Sequence, residues 1–306
     1  MKIYTITLNP AFDVHANADD LTLGRENLAC VTNRDAGGKG INISRALVAN
    51  GVENTAVAVL GKDSFADFAS LLREYGINYV AIEKSGRIRE NLTLHTSLGE
   101  TRISFSGFSL DSSVLDEIAD VIDADNDTIV TFTGSVPSGV EISECKDFLI
   151  KLQKRGARVV VDSKSFTLND LVEVKPWLIK PNGEEIEVYS NKEVKSFEDC
   201  KDIAVELSGC GIENVMISLG DKGAMLVNNG SASIAVPPRI AALSTVGAGD
   251  STIAGFIAAY SSGESVDKCL KMAVAYGTAA CLTGGTTPPD VSDVNEIIDR
   301  VEIFSV

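Results

Sequence analysis

The chain has 306 residues, of which 44% are hydrophobic and only 6% aromatic, so aliphatic side chains must form the core. That length is ample for one large globular domain. A formal net charge of −16 disfavours nucleic acid and anionic membranes as partners, because both carry negative charge themselves.

Nothing in the sequence predicts a membrane or a secretory location. No run of about 18 or more uncharged apolar residues occurs, and Met1–Asn9 is typical of a strand rather than a leader peptide. The six cysteines are scattered without a CxxC pair, which indicates buried thiols in a reducing compartment. We therefore expect a cytoplasmic protein.

Apolar strands alternate with helices along most of the chain. Asp63 is the predicted cap of a helix that Gly76 ends, and Cys145–Arg155 is a second predicted helix. The strand patterns cover 54–60, 128–133, 158–162, 178–180 and 214–219. This alternation predicts an α/β fold with a mostly parallel sheet covered on both faces, in a single domain spanning 1–306. Ligands of such sheets bind beyond the carboxyl ends of the strands.

The segment 87–108 breaks this alternation. Its polar and apolar residues alternate around a Ser-Leu-Gly turn, which is typical of a β-hairpin. With the residues before the first helix, it predicts a small β lid formed by about 10–36 and 86–108, able to exclude water from a site. Exposed strand edges tend to be covered, so the lid could also pair two copies into a homodimer.

The strongest chemical motif is Ser244–Ser251, with the sequence STVGAGDS. Gly247 and Gly249 allow a tight turn into a helix, whose first amides, with that of Ala248, can converge on an anion. Asp250 then places a carboxylate beside that anion, as phosphoryl transfer to a hydroxyl requires. The plain alternative is that Asp250 only caps the helix.

A second glycine-rich motif spans Asp35–Leu47 and contains Gly38, Lys39 and Asn42. It is not a P-loop, because Lys39 is followed by glycine. Lys39 supplies positive charge, and Asn42 can donate and accept hydrogen bonds with sugar hydroxyls. A simple loop entering a helix explains the same residues.

Two further motifs follow predicted strands. Lys180 and Asn182 suit contacts with phosphate, and Glu185 could hold a water-bound Mg²⁺. The segment Ser218–Ala224 is a glycine turn that could flank a nucleotide. The first segment could equally be a strand stopped by Pro181 and followed by a solvated, acidic helix start. Most sequences like the second segment are simple turns.

A hydrolase triad has little support. His15 and His95 are far apart in the sequence, and neither accompanies a nucleophile. The single tryptophan, Trp177, is expected to pack in the core.

Taken in chain order, the motifs resemble the ribokinase-like superfamily of carbohydrate kinases, also called the phosphofructokinase B type. The resemblance is greatest to its sugar-phosphate branch, the 1-phosphofructokinases and tagatose-6-phosphate kinases, and it runs over essentially the whole chain. The segments that carry it are TLNPAFD (Thr7–Asp13), GGKGINISRAL (Gly37–Leu47), IRENLTL (Ile88–Leu94), GSVPSG (Gly134–Gly139), IKPNGEE (Ile179–Glu185), SLGDKGA (Ser218–Ala224) and STVGAGDS (Ser244–Ser251).

The resemblance implies a ribokinase-like three-layer α/β/α fold, ATP and Mg²⁺ as cofactors, and a role for each motif residue. Asp250 would be the catalytic base, with the amides of Gly247, Ala248 and Gly249 stabilising the transferring phosphoryl group. Asp13, Gly38 and Asn42 would hold the sugar hydroxyls, and Lys39 and Arg89 the phosphate already on the sugar. Glu185 marks the magnesium region, and the ATP site would be lined by Lys180, Asn182, Ser218, Gly220, Gly223 and Thr245.

The expected activity is transfer of the ATP γ-phosphoryl group to fructose 1-phosphate, giving fructose 1,6-bisphosphate. Tagatose-6-phosphate kinase is an alternative, because Thr93 and Ser138 stand where relatives tend to carry basic residues. A non-catalytic sugar-phosphate-binding regulator of the same fold is another. A nicotinamide-dependent oxidoreductase is disfavoured, since the first strand is not followed by GxGxxG.

Overall fold

The computed structural model describes residues 1–190, 193–194 and 196–306. The strands are β1 (Lys2–Thr7), β2 (Ala11–Asn17), β3 (Cys30–Gly37), β4 (Thr55–Gly61), β5 (Tyr79–Lys84), β6 (Arg89–Thr96), β7 (Gly99–Ser104), β8 (Thr128–Thr133), β9 (Arg158–Asp162), β10 (Leu178–Ile179), β11 (Asn214–Ser218), β12 (Ala224–Asn228), β13 (Ser231–Val236) and β14 (Glu302–Ser305). The α-helices are α1 (Lys39–Ala49), α2 (Phe65–Glu74), α3 (Ser113–Val121), α4 (Ile142–Lys154), α5 (Leu168–Val174), α6 (Gly183–Ser190), α7 (Phe197–Gly209), α8 (Ala248–Ser261), α9 (Val266–Ala280) and α10 (Val291–Ile298).

Ten strands form the main sheet, in the order β14-β13-β12-β11-β10-β9-β8-β1-β4-β5. The seven strands from β11 to β5 in that order are parallel, and β12, β13 and β14 are added antiparallel. This confirms the predicted mostly parallel sheet. The carboxyl ends of the parallel strands meet at one edge, where the sequence motifs also lie.

Alternate side chains of the strands enter two separate apolar clusters, one on each face of the main sheet. In β9, Val159 and Val161 enter one cluster and Val160 enters the other. Helices α3, α4 and α7 complete the first cluster, and α1, α8, α9 and α10 complete the second. Helices therefore cover both faces, which confirms the three-layer α/β/α arrangement.

A second, four-stranded sheet has the order β3-β2-β6-β7. Its β6–β7 pair is the predicted hairpin, with Thr96 opposite Gly99 at the turn. The register places Asp13 of β2 beside Asn91 and Asp35, so these side chains share one polar face. The opposite face carries Phe12, which packs with residues of α1 and α2 in a third apolar cluster. We call this the small sheet; its strands begin at Ala11 and end at Ser104.

Two helix starts differ from the sequence predictions. Asp63 is not the cap of α2, because a short 3-10 turn over Lys62–Ser64 precedes the helix and Ser64 takes the cap position. Helix α4 begins at Ile142, three residues before the predicted start, because Glu141 and Glu144 form a capping box. A capping pair sets the start of α4, and the 3-10 turn sets that of α2, where the Ser64 hydroxyl accepts from the Ile88 amide instead of capping the helix.

The prediction of buried thiols holds for three of the six cysteines; Cys30 is exposed, and Cys210 and Cys281 are partly exposed. All six are unpaired, and Cys145, Cys200 and Cys269 are buried.

In the part of the chain that the structure describes, no helix has both the length and the apolar character needed to span a membrane.

Candidate active site

Four charged side chains meet at the carboxyl edge of the main sheet. Asp250 comes from the first turn of α8, Lys39 from the first turn of α1, Asp162 from the end of β9 and Lys180 from the residue after β10. Asp162, Lys180 and Asp250 are buried. The topology thus brings together groups from four separate stretches of the chain.

Asp250 is held in place by a neighbouring helix. Its Oδ2 accepts a hydrogen bond from Nδ2 of Asn42, at 2.8 Å, and the side chain is only 7% exposed. Burial raises the pKa of Asp250 to about 6; Lys39 opposes this shift, and the nearby Asp162 adds to it. A carboxylate of this kind is ionised at neutral pH and basic enough to accept a proton from a hydroxyl.

Asp162 is the counter-ion that keeps the two lysines together. Nζ of Lys39 donates to Oδ2 of Asp162 at 2.8 Å, and Nζ of Lys180 lies 3.9 Å from the same oxygen. Burial alone would raise the pKa of Asp162, but Lys180 and Lys39 outweigh it and lower the pKa. Burial also opposes the charge of Lys39, yet Asp162 and Asp250 raise its pKa. Asp162 and Lys39 therefore both carry their charges.

The glycine-rich turn before α8 presents a site for an anion. Gly247 occupies the cap position with a φ of 80°, in the left-handed region where glycine is unstrained. The Ala248 amide makes only a long contact of 3.4 Å with the carbonyl oxygen of Thr245. Nζ of Lys180 lies 3.3 Å from the point where Gly249 would carry a Cβ. A helix N-terminus and an ammonium group thus lie next to each other.

Asp13, a predicted sugar contact, lies against Asn91 and the glycine turn that leads into α1. Asp13 is buried, and its Oδ1 accepts a hydrogen bond from Nδ2 of Asn91 at 2.8 Å. Gly37 must lack a side chain, because a Cβ there would lie 2.1 Å from Oδ2 of Asp13. Gly38 has a φ of 123° and caps α1. The turn between β3 and α1 can therefore adopt this shape only with glycines.

Arg89 lies on the same polar face of the small sheet. Its guanidinium donates to the carbonyl oxygen of Phe105 at 3.2 Å and to Oδ1 of Asn91 at 3.3 Å, while its buried Nε has no hydrogen-bond partner among the described residues. Burial lowers the pKa of Arg89, Asp13 opposes this, and the neighbouring Arg102 adds to it. A second guanidinium, that of Arg102, lies 3.7 Å from Oδ1 of Asp13.

Asn182 and Glu185 bond to each other's backbone. Oε2 of Glu185 accepts from the Asn182 amide at 3.0 Å, and Oδ1 of Asn182 accepts from the Glu185 amide at 2.9 Å. Oε1 of Glu185 has Nζ of Lys164 3.9 Å away. The pair caps the start of α6 and leaves one carboxylate oxygen directed elsewhere.

The remaining predicted nucleotide residues form a neighbouring loop region. Ser218 pairs with Asn182 through an isolated β-bridge. Gly220 and Gly223 flank a short 3-10 turn, and Gly223 is sterically required because a Cβ there would lie 2.0 Å from the carbonyl oxygen of Ala235. Thr245 is exposed at the turn before α8.

Sequence reasoning gave no role to several residues that the fold brings to this site. Asp162 carried the available signal, a polar residue ending a buried strand at the carboxyl edge. Asn91 carried a weaker one, as a polar residue in the alternating hairpin. The fold also brings the two histidines together: Nδ1 of His15 lies 3.2 Å from Nε2 of His95, because their strands pair.

The chain was compared with known proteins and structures. Residues 9–293 match the family described as pfkB family carbohydrate kinase. The chain is 33% identical over 312 residues to the 1-phosphofructokinase of Haemophilus influenzae, a match that covers 100% of this chain and 99% of that protein. The chain therefore belongs to the pfkB family of carbohydrate kinases.

Solved structures of a family member have the same fold. Phosphofructokinase-2 from Escherichia coli, in complex with substrates and products, superposes with a TM-score of 0.91 at 27% identity, over 98% of this chain and 99% of that one. The structure described as the tetrameric inhibited form of the same enzyme gives a TM-score of 0.89 at 27% identity, over 98% of each chain.

The raised pKa of Asp250 predicts that this buried carboxylate destabilises the folded protein. Below its unfolded value of 3.8 the group is neutral in both states, so stability is unaffected there and is lost as pH rises to about 6. Asp250→Asn should therefore raise the free energy of unfolding at neutral pH by on the order of 2–3 kcal/mol. Thermal melts over a pH series would measure this.

The stabilisation should disappear at acidic pH, where wild type also has a neutral side chain at this position. Asp221→Asn, at an exposed site, is the matched control and should leave the melts unchanged. A melting temperature for Asp250→Asn equal to that of wild type at every pH would contradict the prediction.

Proposed function

We propose that this chain transfers the γ-phosphoryl group of ATP to fructose 1-phosphate, giving fructose 1,6-bisphosphate. The observation that carries the proposal is the buried Asp250, fixed by Asn42 beside the N-terminus of α8 and two lysines. The full-length identity with a 1-phosphofructokinase supports fructose 1-phosphate as the acceptor.

Asp250 is the proposed base. Its Oδ2 is engaged by Asn42, so Oδ1 is the oxygen available for the proton of the acceptor hydroxyl. That hydroxyl oxygen forms a bond to the γ-phosphorus, the bond from phosphorus to the bridging oxygen of ADP breaks, and the proton moves to Asp250. The buried Oδ1 of Asn42 has no partner in the described chain, so it can accept a hydrogen bond from the sugar.

The charge that develops on the transferring group is proposed to be met by Lys180 and the amides of Gly247, Ala248 and Gly249. Lys180 lies over Gly249, so its ammonium and the helix N-terminus act on the same region. Because these groups are fixed before the substrate arrives, they need little reorganisation during the reaction. Asn182, Ser218, Gly220, Gly223 and Thr245 complete the proposed ATP site.

Mg²⁺ fits this site as a partner of the nucleotide. Magnesium in kinases is commonly held by one or two carboxylates together with substrate phosphates. Glu185 has one oxygen that does not cap α6, so it would supply such a carboxylate. The ion would neutralise phosphate charge, and the chain's own contribution is to orient Glu185 through Asn182.

The phosphate already on the sugar is proposed to bind Arg89, with Lys39 nearer the reacting end. Arg89 and Arg102 lie near Asp13, and Asp35 on the same face is paired with Arg45, so this region has a local positive excess despite the net charge of −16. Thr93, where relatives tend to be basic, lies directly opposite Arg102 in the sheet register. Arg102 can therefore supply the positive charge that position 93 lacks.

Replacing Arg89 should weaken sugar-phosphate binding selectively. Charge-assisted hydrogen bonds to phosphate contribute about 1.5–3 kcal/mol each, so Arg89→Ala should raise the KM for fructose 1-phosphate by roughly 10–150-fold. The KM for ATP should change much less, and the preference of the enzyme for fructose 1-phosphate over free fructose should become smaller. Equal effects on both substrates would identify Arg89 as structural, and Lys84→Ala serves as a control at an ion pair with Glu117.

A substrate panel tests the function itself. ADP release should be fastest with fructose 1-phosphate, and slower with tagatose 6-phosphate, fructose 6-phosphate and free fructose. Asp250→Asn should lower kcat by roughly 10²–10⁴-fold, the usual effect of losing a general base, while ATP still binds. A preference for tagatose 6-phosphate would reassign the substrate, and absence of turnover with bound sugar phosphate would favour a regulator.

We further propose that the small sheet acts as a lid over the sugar. Its polar face carries Asp13 and Arg89, and β7 is exposed along its whole length. Added fructose 1-phosphate should slow amide exchange over 89–104.

The exposed Leu98, Ile103 and Phe105 make this sheet the proposed contact of a homodimer, which the molar mass in solution would test.

A further inference from the structure

The loop after α9 contacts both the small sheet and the turn before α8. Nε2 of His15, on the small sheet, lies 2.9 Å from the point where Gly285 would carry a Cβ. On the other side, Cα of Thr286 lies 3.8 Å from the corresponding point at Gly247. This loop, Gly284–Thr287, therefore lies between the proposed sugar side and the anion site.

A buried arginine connects this loop to the small sheet. Arg45 belongs to α1 and is only 6% exposed. Its Nη2 lies 3.6 Å from Oδ1 of Asp35 in β3, and its Nη1 donates to Oγ1 of Thr286 at 3.3 Å. The guanidinium also packs on the ring of Tyr75, 3.9 Å from the centroid. One planar group thus contacts the small sheet, a body helix and the loop.

Asp35 is placed to sense the sugar site. It lies directly beside Asp13 in the β2–β3 register, and its carboxylate also accepts hydrogen bonds from Tyr75 and Asn33, each at 2.7 Å. A movement of β2 and β3 when sugar binds would change the distance from Asp35 to Arg45. Through Thr286, the same change would reach the backbone next to Gly247.

We propose that Arg45 is a positioning residue that couples occupation of the sugar site to the shape of the anion site. It acts through Asp35 on one side and Thr286 on the other, and it touches no reacting atom. Arginine suits this role because its planar group presents donors in several directions, whereas lysine has a single ammonium. The proposal rests on the proposed function for the identity of the two ligands used in its first test.

The first test measures binding synergy in Thr286→Val, Arg45→Lys and Arg45→Met. In wild type, fructose 1-phosphate should tighten the binding of a non-hydrolysable ATP analogue by at least about 5-fold, the lower end of typical coupling between sites. Thr286→Val keeps the side-chain shape and removes the acceptor, so it should bring this ratio towards one, with a lower melting temperature because the buried Nη1 of Arg45 loses its partner. Arg45→Lys should retain part of the ratio, and Arg45→Met none.

The matched control is Arg300→Met, which removes an exposed arginine that lies two residues after α10 and pairs with Glu296 of that helix. It should leave the ratio and kcat at wild-type values. If Thr286→Val or a folded Arg45→Met keeps the wild-type ratio, the coupling role is wrong. A lower melting temperature with an unchanged ratio would likewise overturn it, since that is what a merely structural arginine would give.

A second test does not depend on the reaction. Amide exchange in the ligand-free protein should become faster in Arg45→Met over both 33–37 and 284–287, because one group holds the two segments. Unchanged exchange at 284–287 would overturn the coupling. If the wild-type protein phosphorylates no sugar phosphate, the proposed function is rejected. The coupling is still supported in that case if Arg45→Met shows faster exchange than wild type in both segments.

Discussion

The ion cluster of Lys39, Asp162 and Lys180 is the constraint on which the rest of the site depends. Charges removed from water are unfavourable unless they are paired, and Asp162 pairs with both lysines at once. Asp250 then shares the same cations without a close ion pair of its own, so burial raises its pKa. The cluster thus separates two carboxylates into a permanently charged counter-ion and a titratable base.

This cluster requires a parallel sheet. Asp162 and Lys180 come from adjacent strands, β9 and β10, whose carboxyl ends meet, while Lys39 and Asp250 begin helices that pack over the same edge. An antiparallel order of these strands would send the two residues to opposite edges. The Coulombic contacts that define the chemistry are therefore a consequence of topology.

The small sheet has one apolar and one polar face because side chains alternate along its strands. Its alternation places Phe12 and Val14 against α1 and α2, and Asp13 and Asn91 towards the ligand side. The apolar face attaches the sheet to the body, and the polar face supplies sugar contacts. Because the two faces alternate residue by residue, a one-residue slip would lose both functions together.

The sequence by itself determined the alternation of apolar strands and helices, the hairpin, and the local motifs around Asp250, Lys39 and Asn182, but not the antiparallel strands β12, β13 and β14. Apolar periodicity and glycine turns act over a few residues, so they can be recognised along the chain. The sequence also shows the family resemblance, since this resemblance depends on the order of the motifs along the chain. Helix starts were predicted less well, because single capping groups such as Glu141 decide them.

Only the tertiary structure decided which charges meet. The Lys39–Asp162 bond joins residues 123 positions apart, and the Arg45–Thr286 bond joins residues 241 positions apart. No local sequence pattern marks such partners, because each charged side chain is paired with a residue that is distant in the sequence and close only in the folded chain. The raised pKa of Asp250 and the buried setting of Arg45 exist only after those neighbours are in place.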